Sequence, residues 1–339
     1  MKLKHIAIAG LAVTLACACA KTPSAGLNDD AKRYFDAWIS QTHPDAVRTP
    51  LGAYVISETA GTGESAGSHP FIRVNLSSYS LKGDLSQTTL ESVARRNGSY
   101  SKTSYYGPMI AYRGEELETL GAGIEEAIST MKIGGRKTVA VPGWLSEAER
   151  FDNEEEYVKN CSGTDIVYEL ELVDAFDDVD AWERDSLIRF MAANYPDAVE
   201  DEEYEGFFYV KGTEGPGDKE IKADSTVYIN YTGRLLNGQV FDTTVADTAK
   251  VWNLYSSSKT YSRQKVKWYS ADGDFTGITL GDDGTTVITG FALGLSKMHQ
   301  YEAGKCFFVS KYGYSASGSG SSIPSYSPLC FELEMTEEP

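Results

Sequence analysis

Tyr231, Phe241 and Asp242 are the residues whose types and spacing point most directly to chemistry. Two aromatic side chains and one carboxylate can form an apolar pocket with a single polar handle. Such a pocket binds and orients a ligand without a nucleophile or a metal. The three lie between Val227 and Thr244, in VYINYTGRLLNGQVFDTT. Val227, Ile229 and Tyr231 alternate with Tyr228 and Asn230, the period of a strand. Gly233 interrupts that pattern. Asn237-Gly238 is a tight-turn dipeptide, because both residues tolerate positive φ. A second short strand ends in Phe241-Asp242, so a hairpin would bring both beside Tyr231.

Read as V-x-x-x-Y-T-G-x-L-x-x-G-x-x-F-D, the stretch resembles the core signature of FKBP-type peptidyl-prolyl isomerases. Three more segments resemble the family in the same order. VITGFALGL (Val287 to Leu295) has Phe291 in place of the usual tryptophan, and YGYSASGSGSSIP (Tyr312 to Pro324) is similar to the loop with the pocket tyrosine and Ile-Pro pair. LCFELEM (Leu329 to Met335) resembles the closing strand. The resemblance implies catalytic roles for Tyr231, Phe241, Asp242, Ile288 and Tyr314, and substrate contacts from Val287, Phe291, Ile323 and Phe331. The Ile288 N–H and the Tyr314 hydroxyl would hold substrate carbonyls. It also implies proline-containing polypeptides as partners, binding of macrolide inhibitors, and no cofactor. Phe291 implies a shallower pocket floor, and Ser315 stands where the family usually has glycine.

The chain also contains a repeat. PDAV occurs at Pro44 and again at Pro196, an offset of 152 residues (196 − 44). An apolar helical stripe precedes each copy: Tyr34, Phe35, Trp38 and Ile39 in the first, Leu187, Ile188 and Met191 with Trp182 upstream in the second. GAYVI (Gly52 to Ile56) matches GFFYV (Gly206 to Val210), and FIRVNL (Phe71 to Leu76) matches STVYINY (Ser225 to Tyr231). Gly123-Ile124 with Ile128 and Met131 parallels Gly290-Phe291 with Leu295 and Met298, one face of a short helix in each copy. Aligning Gly83 with Gly238 puts Leu76, Ser86 and Gln87 opposite Tyr231, Phe241 and Asp242. Gly121 and Ile124 stand opposite Ile288 and Phe291. The framework is repeated, but the first copy lacks the pocket residues and has the charged tail EAERFDNEEEYVKN instead.

The expected architecture is therefore α+β, with two FKBP-like modules, each an antiparallel sheet curled over a short helix. Residues 28–179 form a degenerate module and residues 180–339 the isomerase module, with the acidic run Asp177 to Asp180 between them. The segment 245–275 is an insertion rich in aromatics, either packed over the sheet or walling the site. At the N-terminus, basic MKLKH precedes the apolar run Ile6 to Ala16, which is shorter than the roughly 20 residues a bilayer requires. With Cys17 and Cys19 behind it, residues 1–19 read as a lipoprotein signal peptide and 20–27 as a tether. The expectation is an exported protein, lipid-anchored through one of these cysteines in a bacterial cell envelope, most naturally at the outer membrane.

The 31 basic and 49 acidic residues give a net charge of −18, which argues against nucleic acid as a partner. Four histidines without paired Cys/His spacing give no metal site. Cys161, Cys306 and Cys330 read as buried thiols, and the sequence leaves open whether Cys306 and Cys330 pair. The function expected is prolyl isomerisation that assists folding of exported proteins. The alternative is a non-catalytic chaperone or surface-binding lipoprotein that reuses the fold.

Overall fold

A computed structural model describes residues 25–67, 69–113, 120–215, 221–222, 225–268, 275–282 and 284–336. The leader, most of the tether, Cys17, Cys19 and Tyr269 lie outside the described residues.

The described chain forms two antiparallel sheets, as the repeat implies. The first is built from β1 (Tyr54–Thr59), β2 (Phe71–Ser80), β3 (Leu85–Thr88), β4 (Met109–Tyr112), β5 (Arg136–Val141) and β6 (Ile166–Phe176). Val47–Arg48 pairs at its rim, and the order inward is β1, β5, β6, β2, β3, with β4 also on β2. The second repeats this plan with β7 (Phe207–Lys211), β8 (Thr226–Leu235), β9 (Val240–Thr243), β10 (Gln264–Lys267), β11 (Ala303–Phe308) and β12 (Leu329–Thr336). Its order is β7, β11, β12, β8, β10, and β9 pairs with β8. Two-residue strands at Thr279–Leu280 and Thr285–Thr286 extend the β10 side.

Helices pack on these sheets through the predicted faces. The helix α1 (Ala25–Thr42) buries Phe35 and Ile39 against the first sheet, whereas Tyr34 of the expected stripe is 63% exposed. Beyond α2 (Glu91–Asn97), the short α3 (Ala122–Ser129) buries Ala127 and Ile128 in the first core. The charged tail forms α4 (Glu154–Asn160), whose Glu154 pairs with Lys32 and Arg48. Helix α5 (Val179–Asn194) is capped by Asp178, which accepts from the Ala181 N–H at 3.0 Å. It buries Leu187 and Met191 against the outer face of the second sheet, with Phe307 and Cys330. The insertion starts with α6 (Ala246–Val251). The helix α7 (Thr289–Ser296) lies on the inner face, where Phe291 and Leu295 meet Phe331, Leu333 and Met335.

Cys306 and Cys330 are free thiols. Cys306 is paired with Phe331, and Cys330 with Phe307. Side chains alternate across a strand, so the two sulfurs point to opposite faces of the sheet and cannot bond.

Candidate functional site

The hairpin β8–β9 positions the first three site residues. The Gly238 N–H donates to Leu235 O and the Leu235 N–H to Gln239 O, both at 2.9 Å. Only Gly238 of the Asn237-Gly238 pair takes positive φ, at 88°. Asn237 contributes differently: its Oδ1 accepts the Gln239 N–H at 3.0 Å. The pairing shifts register between Val240 and Asp242, which sets Asp242 opposite Gly233. Gly233 is needed for close approach. A Cβ there would lie 2.5 Å from the Phe241 ring and 3.0 Å from the Phe331 ring.

Those rings belong to an aromatic box. Phe291, brought in by the first turn of α7, is 4.9 Å from Phe331 and 5.4 Å from Tyr231, edge to face in both cases. Phe241 meets Phe331 at 5.5 Å and 81°. Edge-to-face pairs set the positive ring edge against a negative face and add to the burial energy. The box encloses a cavity of about 200 Å³, lined by Tyr231, Phe241, Asp242, Val287, Ile288, Phe291, Tyr314 and Phe331. Thus eight of the nine residues that the sequence placed at the site through the hairpin, helix start, loop and last strand meet around one space. Ile323 does not. It is 3% exposed in the second core and lines a cleft between the modules instead.

The polar groups are ordered. Asp242 Oδ2 accepts from the Tyr231 hydroxyl at 2.7 Å. Its Oδ1 accepts the Thr243 N–H at 2.9 Å and the Lys259 ammonium at 2.6 Å. Burial, reinforced by Asp242, pushes the Tyr231 phenol well above its usual range, so it stays a donor. Burial also raises the Tyr314 phenol, with a smaller push from Asp242. Among the described residues no group hydrogen-bonds the Tyr314 hydroxyl or the Ile288 N–H. Both remain able to donate to a ligand in the cavity.

Sequence reasoning missed several supports. Leu280 and Thr286 also line the cavity. Lys259 comes from the insertion, and nothing in its local sequence announces that it reaches Asp242. Among the described residues, the insertion's aromatics do not line the cavity: Trp268 is buried in the core, while Tyr255 and Tyr261 stack on each other at 5.1 Å. Glu183 of α5 was hidden in a helical stripe. It is 1% exposed, and its two oxygens accept the Ser310 N–H at 2.7 Å and hydroxyl at 2.6 Å. Ser310 begins the turn that leads to Tyr314. The Tyr314 loop itself closes through the Tyr326 N–H, which donates to Ser315 O at 2.8 Å. Ser315 and Tyr326 take positive φ values of 47° and 55°. Ser315 stands where the family resemblance implies glycine, and the left-handed backbone supplies the reason.

The first module closes the corresponding place. Glu147 precedes Tyr314 by 167 residues (314 − 147), the offset that relates Ile124 to Phe291 (291 − 124). Its carbonyl accepts the Ala122 N–H at 3.0 Å, at the start of α3. Ser146 O lies so near that a Cβ on Gly121 would be 2.5 Å from it.

An antiparallel sheet over a short helix, with an aromatic cavity at the helix start, defines a binding domain for a small apolar group. Residues 217–336 match the family FKBP-type peptidyl-prolyl cis-trans isomerase. That match covers most of the second module, and the first module repeats the fold without the pocket. A curated relative, the probable FKBP-type peptidyl-prolyl cis-trans isomerase of Haemophilus influenzae, is 31% identical over 134 residues, which cover 39% of this chain and 42% of that protein. The chain therefore spans less than half the length of that relative. Among solved structures, the three FKBP domains of wheat FKBP73 align over 84% of this chain and 94% of that one, with 15% identity and a TM-score of 0.30. FkpA from Escherichia coli aligns over 47% and 59%, with 20% identity and a TM-score of 0.32.

Proposed function

We propose that the protein is a peptidyl-prolyl cis-trans isomerase whose activity resides in the second module and assists the folding of exported polypeptides. The observation that carries this reading is the aromatic cavity bordered by two donors without a partner among the described residues, the Ile288 N–H and the Tyr314 hydroxyl. Amide resonance opposes rotation of an X–Pro bond with a barrier of about 18–20 kcal/mol. No covalent bond is made or broken in the rotation. Twisting the amide removes resonance and lowers the partial charge on its carbonyl, so an apolar site favours the twisted form over the planar one. Tyr231, Phe241, Phe291 and Phe331 supply that apolar surface. Ile288 and Tyr314 anchor the substrate carbonyls. Asp242 orients Tyr231 and is held by Lys259 and a backbone N–H, an arrangement suited to a fixed acceptor and not to a general base.

Proline-containing polypeptides are the substrates, and macrolides that fill the same cavity would inhibit. The test is protease-coupled turnover of a proline tetrapeptide by the full chain. Turnover at the uncatalysed rate would favour the non-catalytic chaperone reading. Export and anchoring belong to the same proposal, with lipid on Cys17 or Cys19. One acyl chain holds a protein only marginally, whereas several anchor it stably. Replacing both cysteines with serine should move the protein to the soluble fraction; persistence in the membrane fraction would refute the anchor.

A further inference from the structure

A cavity of about 460 Å³ lies between the modules, on the far side of the loop that carries Tyr314. From the first module it is lined by Leu76, Tyr105, Tyr106 and Met109, and from the second by Ile323 and Pro324. Ser86 and Gln87 also face it, at the positions that correspond to Phe241 and Asp242. The hollow thus reaches the hairpin positions of the first module, whereas the helix start beyond them is closed. None of the lining residues is charged, although 24% of the whole sequence is. Met109 is 40% exposed there, and methionine adapts to ligands of varied shape. The strand β3, which contributes Ser86, Gln87 and Thr88, ends its sheet. Such an edge offers main-chain groups to an added extended chain.

The cleft is fixed in place and lies close to the aromatic pocket. Tyr105 N–H donates to Ser321 O at 2.8 Å, Gln239 Nε2 to Thr103 O at 3.2 Å, and Lys102 Nζ to Val251 O at 2.6 Å. Tyr314 lines the aromatic pocket and Ser317 lines the cleft. They are three positions apart, so their backbones are at most about 11 Å apart, a distance that roughly three extended residues of a ligand span. We propose that the cleft is a second binding site for an extended, uncharged, apolar stretch of the same polypeptide whose proline occupies the aromatic pocket. This deepens the isomerase reading and rests on it. Walls of aromatic, aliphatic and hydroxyl side chains without a charged group offer no counter-ion to a phosphorylated or strongly charged ligand, and an open strand edge suits a peptide backbone.

The full chain should be assayed with a proline tetrapeptide and with the same peptide extended by six apolar residues on either side. The extended peptide should show a KM about tenfold lower, as expected from burying one or two more apolar side chains. Met109→Glu and Ser86→Glu, both at exposed positions, should remove that gain and leave tetrapeptide turnover unchanged. Equal KM values in the wild type, or equal losses on both peptides in the variants, would overturn the proposal. A second readout needs no catalysis: anisotropy of a labelled extended peptide with alanine in place of proline, on the chain carrying Phe241→Ala. Binding that Met109→Glu abolishes supports the cleft even if tetrapeptide turnover is absent, in which case only the isomerase reading falls. Tetrapeptide turnover without any such binding removes the cleft and leaves the isomerase reading intact.

Discussion

At the start of α7 the Ile288 N–H has no partner among the described residues, and Tyr314 shares its cavity. At the start of α3 the same space is closed by the chain itself, through the Glu147 carbonyl on Ala122 and Ser146 against Gly121. The sheets, strand order and helix placement agree between the modules. Apart from the insertion with its short strands and from α4, what differs near the pocket is a few residues after β5 and β11, together with the side chains of one hairpin. A fold can therefore be copied intact while its chemistry is decided by the loop after one strand.

The comparison can be broken most directly at Phe241, which forms one wall in the second module and is Ser86 in the first. Phe241→Ala should lower kcat/KM by roughly a hundredfold, equivalent to about 2.7 kcal/mol, because it opens the box to water. Phe241→Leu should keep most of the activity; if both variants match the wild type, the aromatic wall is not the active surface.

The first module holds the matching turn through a different carboxylate, the Gly143 N–H donating to Asp165 Oδ1 at 2.9 Å, so Glu183 sharpens the contrast. Glu183→Ala strands the Ser310 N–H and hydroxyl and should cost about 1–3 kcal/mol in denaturant melts, with Glu183→Gln costing less. Burial raises the Glu183 carboxyl, the Ser310 bonds and Lys311 oppose that, and Asp180 adds to it. A raised folded-state value means the contribution is fully present below the unfolded value and is lost as pH rises through the folded one. The stability difference between wild type and Glu183→Gln should therefore shift in favour of the wild type between pH 7 and pH 5. A shift of opposite sign would show that the carboxylate form is the stabilised one.

A smaller effect is expected at the loop. Tyr314→Phe removes one hydrogen bond worth about 0.5–1.5 kcal/mol, at most roughly tenfold in rate, and should act on turnover without changing the melting midpoint. The smallest effect is the most informative. Leu76→Tyr, Ser86→Phe and Gln87→Asp together, in a chain silenced by Phe241→Ala, should restore no turnover, since Ser146 and Glu147 still cover the helix start. Any recovered activity would show that hairpin side chains alone make the site.

The hairpin, the repeat and the aromatic set were legible because their signals are local. Alternation marks a strand over a few residues, and four short segments in order carry the pocket. The supports were not legible because they are made by distant residues. Lys259 reaches Asp242 across an insertion, and Glu183 reaches Ser310 across most of the second module. Ile323 was misplaced for a similar reason: its neighbours are decided by the docking of one module on the other, which strand and helix periods do not encode. Ser315 lay between these cases, visible as an oddity in sequence and explained only by its backbone angle.

The thiols Cys306 and Cys330, one on each face of the second sheet, have a practical consequence. Burial pushes Cys306 far above its ordinary value, and burial with Glu332 pushes Cys330 up to about 12. An alkylating reagent needs both access and thiolate, so neither sulfur reacts while the sheet is covered. Cys306 becomes reachable when α7 lifts away, and Cys330 when α5 does. Alkylation measured separately at the two cysteines would time two kinds of local opening in one sample: that of the pocket's floor, and that of the helix joining the modules.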